Sequence, residues 1–419
     1  MSIREIKQSP EVKPKLFYGY VVAAAALFIM VIIYSTRFSY GVFFKPMLTE
    51  FGWTRALTSG ALSISMFIQG FLAIIMGGLS DRLGPRIVLT VCGLLVGLGF
   101  LLMSRIDAAW QLYLFYGLII APGMSGVWIP LLSTIVRWFV AKRSLMTGVV
   151  GVGTGTGVLV GPPVANWLIS NYGWRVAYMI SGIAVWVVVI LAAQLLKRDP
   201  TKIKQMPYGA NKEDIQQINQ GTNGLSFEKT IRTRQFWIVC ALFFCCGFCI
   251  FAIMVHIVPH ATDLGIPDAS AAGFLAAIGG VSIAGNIILG SIGDILGNRR
   301  AFLIGFILIS AALFWLVQTE DVWMLYLFSI VFGLAYGGIA PLQSPLISEL
   351  FGLHSHGLIF GVAGFCFTIG AAVGPWLVGY LFDINGSYQL AFLVCAFIGI
   401  VGLTLSALIK PIKDKNLHG

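Results

Sequence analysis

Long unbroken apolar runs, separated by short charged or polar breaks, dominate this chain. A helix needs roughly 20 predominantly apolar residues to cross a bilayer. Runs of that order fall near 18–43, 55–80, 86–105, 109–137, 144–171 and 174–196, then near 236–261, 270–293, 300–318, 322–350, 357–383 and 387–410. Between the two sets lies the one long polar stretch, Lys197 to Arg234, 38 residues rich in Lys, Gln, Asn and Gly. The pattern predicts an all-α integral membrane protein of twelve transmembrane helices: a six-helix unit over 1–196, a cytoplasmic linker loop over 197–234 and a second unit over 235–419.

Composition excludes the soluble alternatives. Of 419 residues, 58% are apolar and 11% charged, with mean hydropathy +0.89, whereas soluble domains carry about 25% charged residues. A disordered chain, a secreted disulfide scaffold and a cytosolic enzyme do not fit. The net charge of +10 is read as cytoplasmic-loop cations rather than as a nucleic-acid surface, because no soluble basic domain exists to hold one. All seven cysteines lie inside apolar runs. Cys245-Cys246-x-x-Cys249 has no His or carboxylate in adjacent helical turns, so the thiols are expected to pack rather than bind metal. Residues 1–16 are polar and the first apolar run is long enough to span, so no cleavable leader is expected.

Cation placement orients the chain. With both termini and the linker on one side, that side holds twenty-two Lys and Arg residues: Arg4, Lys7, Lys13 and Lys15 of the first tail, those of alternate loops and the linker, and Lys410, Lys413 and Lys415. The other side holds four: Lys45, Arg55, Arg105 and Arg175. The bias predicts a multi-pass protein of the cytoplasmic (inner) membrane with both termini inside.

The two halves repeat at an offset of 213 residues. Pro46, Glu50 and Gly52 answer to Pro259, Asp263 and Gly265. Gly77-x-x-x-Asp81-x-x-Gly84-x-Arg86 answers to Gly290-x-x-x-Asp294-x-x-Gly297-x-Arg299, and Gly157-x-x-x-Gly161-Pro162 to Gly370-x-x-x-Gly374-Pro375. The fold expected is two pseudo-symmetric six-helix bundles related by duplication.

Two parallel six-helix halves are the organisation of the major facilitator superfamily. Gly77-Gly78-Leu79-Ser80-Asp81-Arg82-Leu83-Gly84-Pro85-Arg86 resembles that superfamily's signature between the second and third helices. Within it, Tyr40-Gly41-Val42-Phe43-Phe44-Lys45, Glu50-Phe51-Gly52-Trp53-Thr54-Arg55, Arg137-Trp138-Phe139 and Arg232-Thr233-Arg234-Gln235-Phe236-Trp237 resemble the monocarboxylate-porter family. Its bacterial members carry several small organic anions and include oxalate/formate-type carriers. The resemblance implies a secondary transporter that works by alternating access.

The signature loops hold the gate candidates: Asp81, Arg82 and Arg86 in the first half, and Asp294, Arg299 and Arg300 in the second. An acid at one helix end can pair with Arg side chains or with the N-terminal dipole of a neighbouring helix. The fifth-span glycines Gly151, Gly153, Gly155, Gly157 and Gly161 allow close, sliding helix contacts. The span partly resembles the superfamily's antiporter motif, but Pro163 and Val164 replace the glycines expected next, so exchange is not read from it.

Arg37 is the one cation well inside a span, roughly six residues or ~9 Å outward of its centre. Intramembrane ionisable groups default to function, although an Arg can also snorkel to the headgroups. Tyr34 lies one turn away on the same face. Tyr116, Ser282, Asn286, Tyr336, Cys366 and Phe367 complete the expected substrate lining. Aligned with the porter family, its first-helix cation falls at Phe38, beside Arg37, and its eighth-helix acid–Arg pair falls at Ser282 and Asn286, which carry no charge. Anion recognition then rests on Arg37, whose planar fork grips a carboxylate with two bonds. Coupling candidates are His256 and Glu349, with an interfacial His256–His260 pair as the plain alternative.

The function expected is transport of a small organic anion of the lactate or pyruvate class, coupled to protons, by a monomer in the lipid bilayer with no cofactor, metal or nucleic-acid partner. A carrier of neutral or zwitterionic solutes such as aromatic amino acids, or an organic-anion exchanger, remains open. An enzyme would need a nucleophile–base pair, metal cluster or nucleotide motif, and none stands at usable spacing.

Overall fold

The computed structural model describes residues 17–410 except 54, 204 and 211–223. The cations Arg4, Lys7, Lys13, Lys15, Lys204, Lys212, Lys413 and Lys415 lie outside the described residues, and the side chains of Lys45 and Arg55 are likewise not described. Twelve helices are long and apolar enough to cross a membrane. They are α1 (Tyr18–Phe43), α2 (Gly60–Leu83), α3 (Pro85–Met103), α4 (Ala109–Trp138), α5 (Arg143–Tyr172) and α6 (Trp174–Leu195), then α7 (Arg234–Asp263), α8 (Gly273–Leu296), α9 (Asn298–Val317), α10 (Val322–Phe351), α11 (His356–Asn385) and α12 (Gln389–Leu408). The twelve expected spans are thus present. Helix α1 breaks for one residue at Ser39 and continues as helix to Phe51.

Punctuation follows sequence. Gly84 and Gly297 sit at φ 85° and 90° between the second and third helix of each half, a backbone region that glycine alone enters without penalty. Pro85 then occupies the first turn of α3, where its missing N–H leaves no intrahelical bond unmade. Pro46, Pro162, Pro163, Pro259 and Pro375 lie within helices.

Packing repeats between the halves. Within the first, α1 runs along α5 and α3 along α6; within the second, α7 runs along α11 and α9 along α12. The halves join through two equivalent seams, α5 on α8 and α2 on α11. Close approach there rests on glycines. A Cβ on Gly77 would collide with the Gly357 carbonyl, and a Cβ on Gly357 with the Gly77 carbonyl and the Asp81 carboxylate. Gly148, Gly151 and Gly155 face Asn286, Ile283 and Ser282 across the other seam in the same way.

The linker is anchored at equivalent points. Tyr208 N–H donates to the Trp138 carbonyl and Leu225 N–H to the Phe351 carbonyl, each at 2.9 Å, and Trp138 and Phe351 are themselves 213 residues apart. Phe17, Tyr18, Trp138, Phe139 and Tyr208 form an aromatic knot beneath the first half. We call this side of the bundle the linker end and the opposite side the far end. The described hydrogen bonds between the halves all lie at the linker end.

If the α2–α11 crossing depends on bare backbone, Gly77→Val should part the linker ends while leaving each half folded. Spin labels on α3 and α12 at that end should then move apart; an unchanged distance would show that the seam tolerates a side chain.

Candidate functional site

Two charged constellations lie at different depths. The first closes the linker end. Asp81, in the last turns of α2, accepts the Leu358 N–H at the start of α11 at 3.1 Å and pairs with Arg137 of α4 at 3.2 Å. Asp294, at the equivalent place on α8, accepts the Ser144 and Leu145 N–H groups at the start of α5 at 2.8 and 2.9 Å. Each acid therefore caps a helix of the other half, where unpaired N–H groups and the helix dipole both favour a carboxylate. Lys142, the residue before α5, takes the left-handed conformation at φ 59°.

Further side chains complete this closure. Arg137 donates to the Leu353 carbonyl at 2.7 Å and lies 3.6 Å from Asp199 of the linker. Ser144 donates to Asn298 at 2.6 Å, and Asn298 donates in turn to Glu349. Arg143 bonds the Val136 and Phe139 carbonyls of its own half and reaches Ser348 of the other at 3.3 Å. Arg137, Arg143, Asn298 and His356 were not among the residues the sequence singled out for the gate. Their signal was available in the Arg137-Trp138-Phe139 string and in the 213-residue repeat, which sets His356 opposite Arg143.

The expected gate cations stand elsewhere. Arg86 donates to Gln194, tying α3 to α6 at 2.7 Å, and Arg299 donates to the Ala407 carbonyl, tying α9 to α12. Arg82 and Arg300 are exposed.

The second constellation surrounds Arg37. Its guanidinium lies 5.8 Å from the Tyr34 ring centre and, among the described residues, has neither an ion pair nor a hydrogen bond. Its charge is near enough to act on the phenols of Tyr34, Tyr116 and Tyr336. The three tyrosines come from α1, α4 and α10, so the cluster draws on both halves. Tyr336 also stands close to Tyr34 and to Cys246 of α7. Trp128 sets its ring against Tyr34 at 6.2 Å. Tyr116 is 1% exposed and its hydroxyl has no partner among the described residues.

The local backbone explains part of this placement. Tyr116 sits in a π-helical stretch, Tyr113–Ile120, and α4 breaks again at Gly126 and Val127 just before Trp128. Helix α10 carries a 3-10 turn, Ala340–Leu342, at the equivalent level. Such irregular turns redirect side chains and mark places where a helix can bend.

The remaining lining candidates are divided among the seams. Ser282 and Asn286 lie in the α5–α8 seam at 3% and 2% exposure, and bond their own helix through the Gly279 and Ser282 carbonyls. Cys366 and Phe367 are half-buried on α11; the free Cys366 thiol adjoins the free Cys240 thiol of α7, and Phe367 meets Phe251 edge-on at 6.1 Å.

The coupling candidates are both occupied by protein partners. His256 bonds the Pro375 carbonyl through Nε2 at 3.0 Å and the Tyr388 hydroxyl through Nδ1 at 3.2 Å, all within the second half. A carbonyl only accepts, so Nε2 carries the proton and Tyr388 donates. Glu349 belongs to the linker-end network. At the far end, Glu50 accepts from Trp174 at 2.6 Å and pairs with Arg175, which holds its carboxyl below the usual carboxylate range. No group of three or more metal-ligating side chains occurs among the described residues.

Twelve spanning helices in two duplicated halves, closed at one end and meeting around a cation within the spans, define a membrane transporter rather than an enzyme. The family model described as Major Facilitator Superfamily matches residues 26–292 and 268–419, and the chain belongs to that superfamily. Monocarboxylate transporter 13 of Rattus norvegicus is 28% identical over 92% of this chain and 87% of its own length. Monocarboxylate transporter 7 of Homo sapiens is 26% identical over 94% and 87%, and the uncharacterized MFS-type transporter YcxA of Bacillus subtilis (strain 168) 27% identical over 91% and 92%. Among solved structures, the proton:xylose symporter XylE bound to 6-bromo-6-deoxy-D-glucose shares the fold with a TM-score of 0.75 at 12% identity, covering 94% of this chain and 96% of that one. The protein is a secondary transporter similar to the monocarboxylate porters.

Asp81→Asn removes the charge that Arg137 and the α11 N-terminus share, at a cost of about 1–3 kcal/mol to the closed linker end. The closed-to-open ratio should fall about tenfold or more, read as faster alkylation of a cysteine introduced at Ser348. An unchanged rate would mean that the acid does not hold the closure.

Proposed function

We propose that the protein moves a small organic monocarboxylate across the cytoplasmic membrane by alternating access, with Arg37 receiving the carboxylate and Asp81 and Asp294 closing the gate. The single observation behind this reading is an uncompensated guanidinium in the spans, ringed by phenols. A cation within the spans is costly unless water or an anion reaches it, and among the described residues no acid pairs with Arg37. The substrate carboxylate supplies the missing charge. The Tyr34, Tyr116 and Tyr336 hydroxyls can donate to the same oxygens, and the rings of Tyr34 and Trp128 offer an apolar wall for a short carbon body.

Charge count narrows the substrate. One cation suits a single carboxylate better than two. An amino acid would also bring an ammonium group, and the described acids stand at helix ends or in loops, none of them paired with Arg37. The names of the similar transporters agree with a monocarboxylate. In the proposed cycle protons accompany the anion, with Glu349 as the carrier best placed to sense the gate through Asn298. His256, held within one half, is the alternative carrier. The unit of function is the monomer, with both termini in the cytoplasm.

Arg37→Gln should weaken binding of a monocarboxylate such as pyruvate by about ten- to a hundredfold, the scale of a charged hydrogen-bonded contact. Arg37→Lys keeps the charge but loses the fork and should fall between. Ligand-induced thermal stabilisation and proteoliposome uptake measure both. Near-wild-type anion uptake by Arg37→Gln would overturn the reading and favour a neutral or zwitterionic solute.

A further inference from the structure

The first residue of α11 is a histidine enclosed by both halves. His356 is 0% exposed. Its Nδ1 lies 2.9 Å from the Ser133 hydroxyl of α4, and its Nε2 3.0 Å from the Ser344 carbonyl of α10. The carbonyl can only accept, so Nε2 carries the proton and the Ser133 hydroxyl donates to Nδ1. A neutral ring satisfies both contacts, one of which crosses between the halves.

The repeat gives this contact a counterpart. His356 stands 213 residues after Arg143, the first residue of α5, and Arg143 reaches the opposite way to Ser348. Each half thus sends the leading residue of its fifth helix into the other. One of the two carries a permanent charge and the other titrates.

The charges around the ring oppose a second proton on it. Arg137 of α4 and Arg143 of α5 both act on His356 as cations. The nearby acids are engaged elsewhere: Asp81 of α2 by Leu358 and Arg137, Asp199 of the linker by Arg137 and Arg198, Asp294 of α8 by α5, and Glu349 of α10 by Asn298. His354, in the loop before α11, is exposed. Among the described residues His356 has no ion pair.

We propose that His356 is a proton-binding latch on the linker-end closure, shut when the ring is neutral and released when the ring takes a proton from the linker side. A charged imidazole enclosed beside two arginines without an acid of its own is costly. Parting the halves exposes the Ser133–His356 contact to water, so the proton binds the open arrangement and acid draws the equilibrium toward it. An exposed imidazole titrates near about 6.5. Opening should therefore increase as linker-side pH falls through that region, approaching tenfold per pH unit below it, and reverse as pH rises. The proton returns to the side it came from, so the latch senses pH and does not energise transport. The proposal rests on the alternating-access reading, but its test reads conformation rather than uptake.

Two measurements on the full-length protein in lipid nanodiscs test it. Diethylpyrocarbonate modification of wild-type His356, mapped by mass spectrometry and normalised to exposed His354, should rise about tenfold between pH 7.5 and 5.5. A flat ratio overturns the latch. Spin labels on Ile87→Cys and Leu408→Cys should report a growing long-distance population over the same range. In a His356→Gln background that response should vanish with the closed distance retained, and in His356→Arg the open distance should dominate at both pH values. The wild-type response persisting in His356→Gln would assign it to the carboxylates instead and overturn the proposal.

Discussion

The linker-end closure is built around two carboxylates, each capping a helix that belongs to the other half. A helix N-terminus leaves N–H groups without intrahelical partners and carries a partial positive charge. Asp294 meets two such groups on α5, and Asp81 meets one on α11 together with Arg137. Water can serve the same groups when the halves part, so the net gain on closure is modest. A modest net gain suits a closure that has to open in the proposed cycle. The glycine crossings at Gly77 and Gly357 bring the backbones near enough for the carboxylates to reach.

Arg37 obeys a different constraint. A guanidinium within the spans must face water, a counter-charge or an anion, and here its surroundings are phenols rather than carboxylates. The helices that present those phenols, α4 and α10, are also interrupted at equivalent levels, at Gly126–Val127 and at Ala340–Leu342. Helix α4 also carries Ser133 and Arg137, and α10 carries Ser344 and Glu349, so the same two helices serve both constellations. The linker reinforces the same symmetry by bonding Trp138 and Phe351 at the ends of those two helices.

The sequence by itself determined the class of fold, the spans, the duplication and the two acids. Hydropathy decides which segments enter a bilayer almost independently of their partners, and a repeat of glycines, prolines and acids at one offset reports equivalent positions directly. It also marked Arg37, because a charge in an apolar run is visible without any structure. Partner choice was another matter, since it depends on which helix faces cross. Arg86 and Arg299 lie close to the acids in sequence yet point to α6 and α12 within their own halves. Ser282 and Asn286 read as cavity residues by spacing, but the glycine face of α5 draws them into a seam. Tyr116 and Tyr336 gather around Arg37 only through tertiary packing, and His356 owes its burial to α4 and α10 together. Periodicity fixes a residue's height and face on its own helix; which surface that face meets is decided by the packing of the other eleven spans.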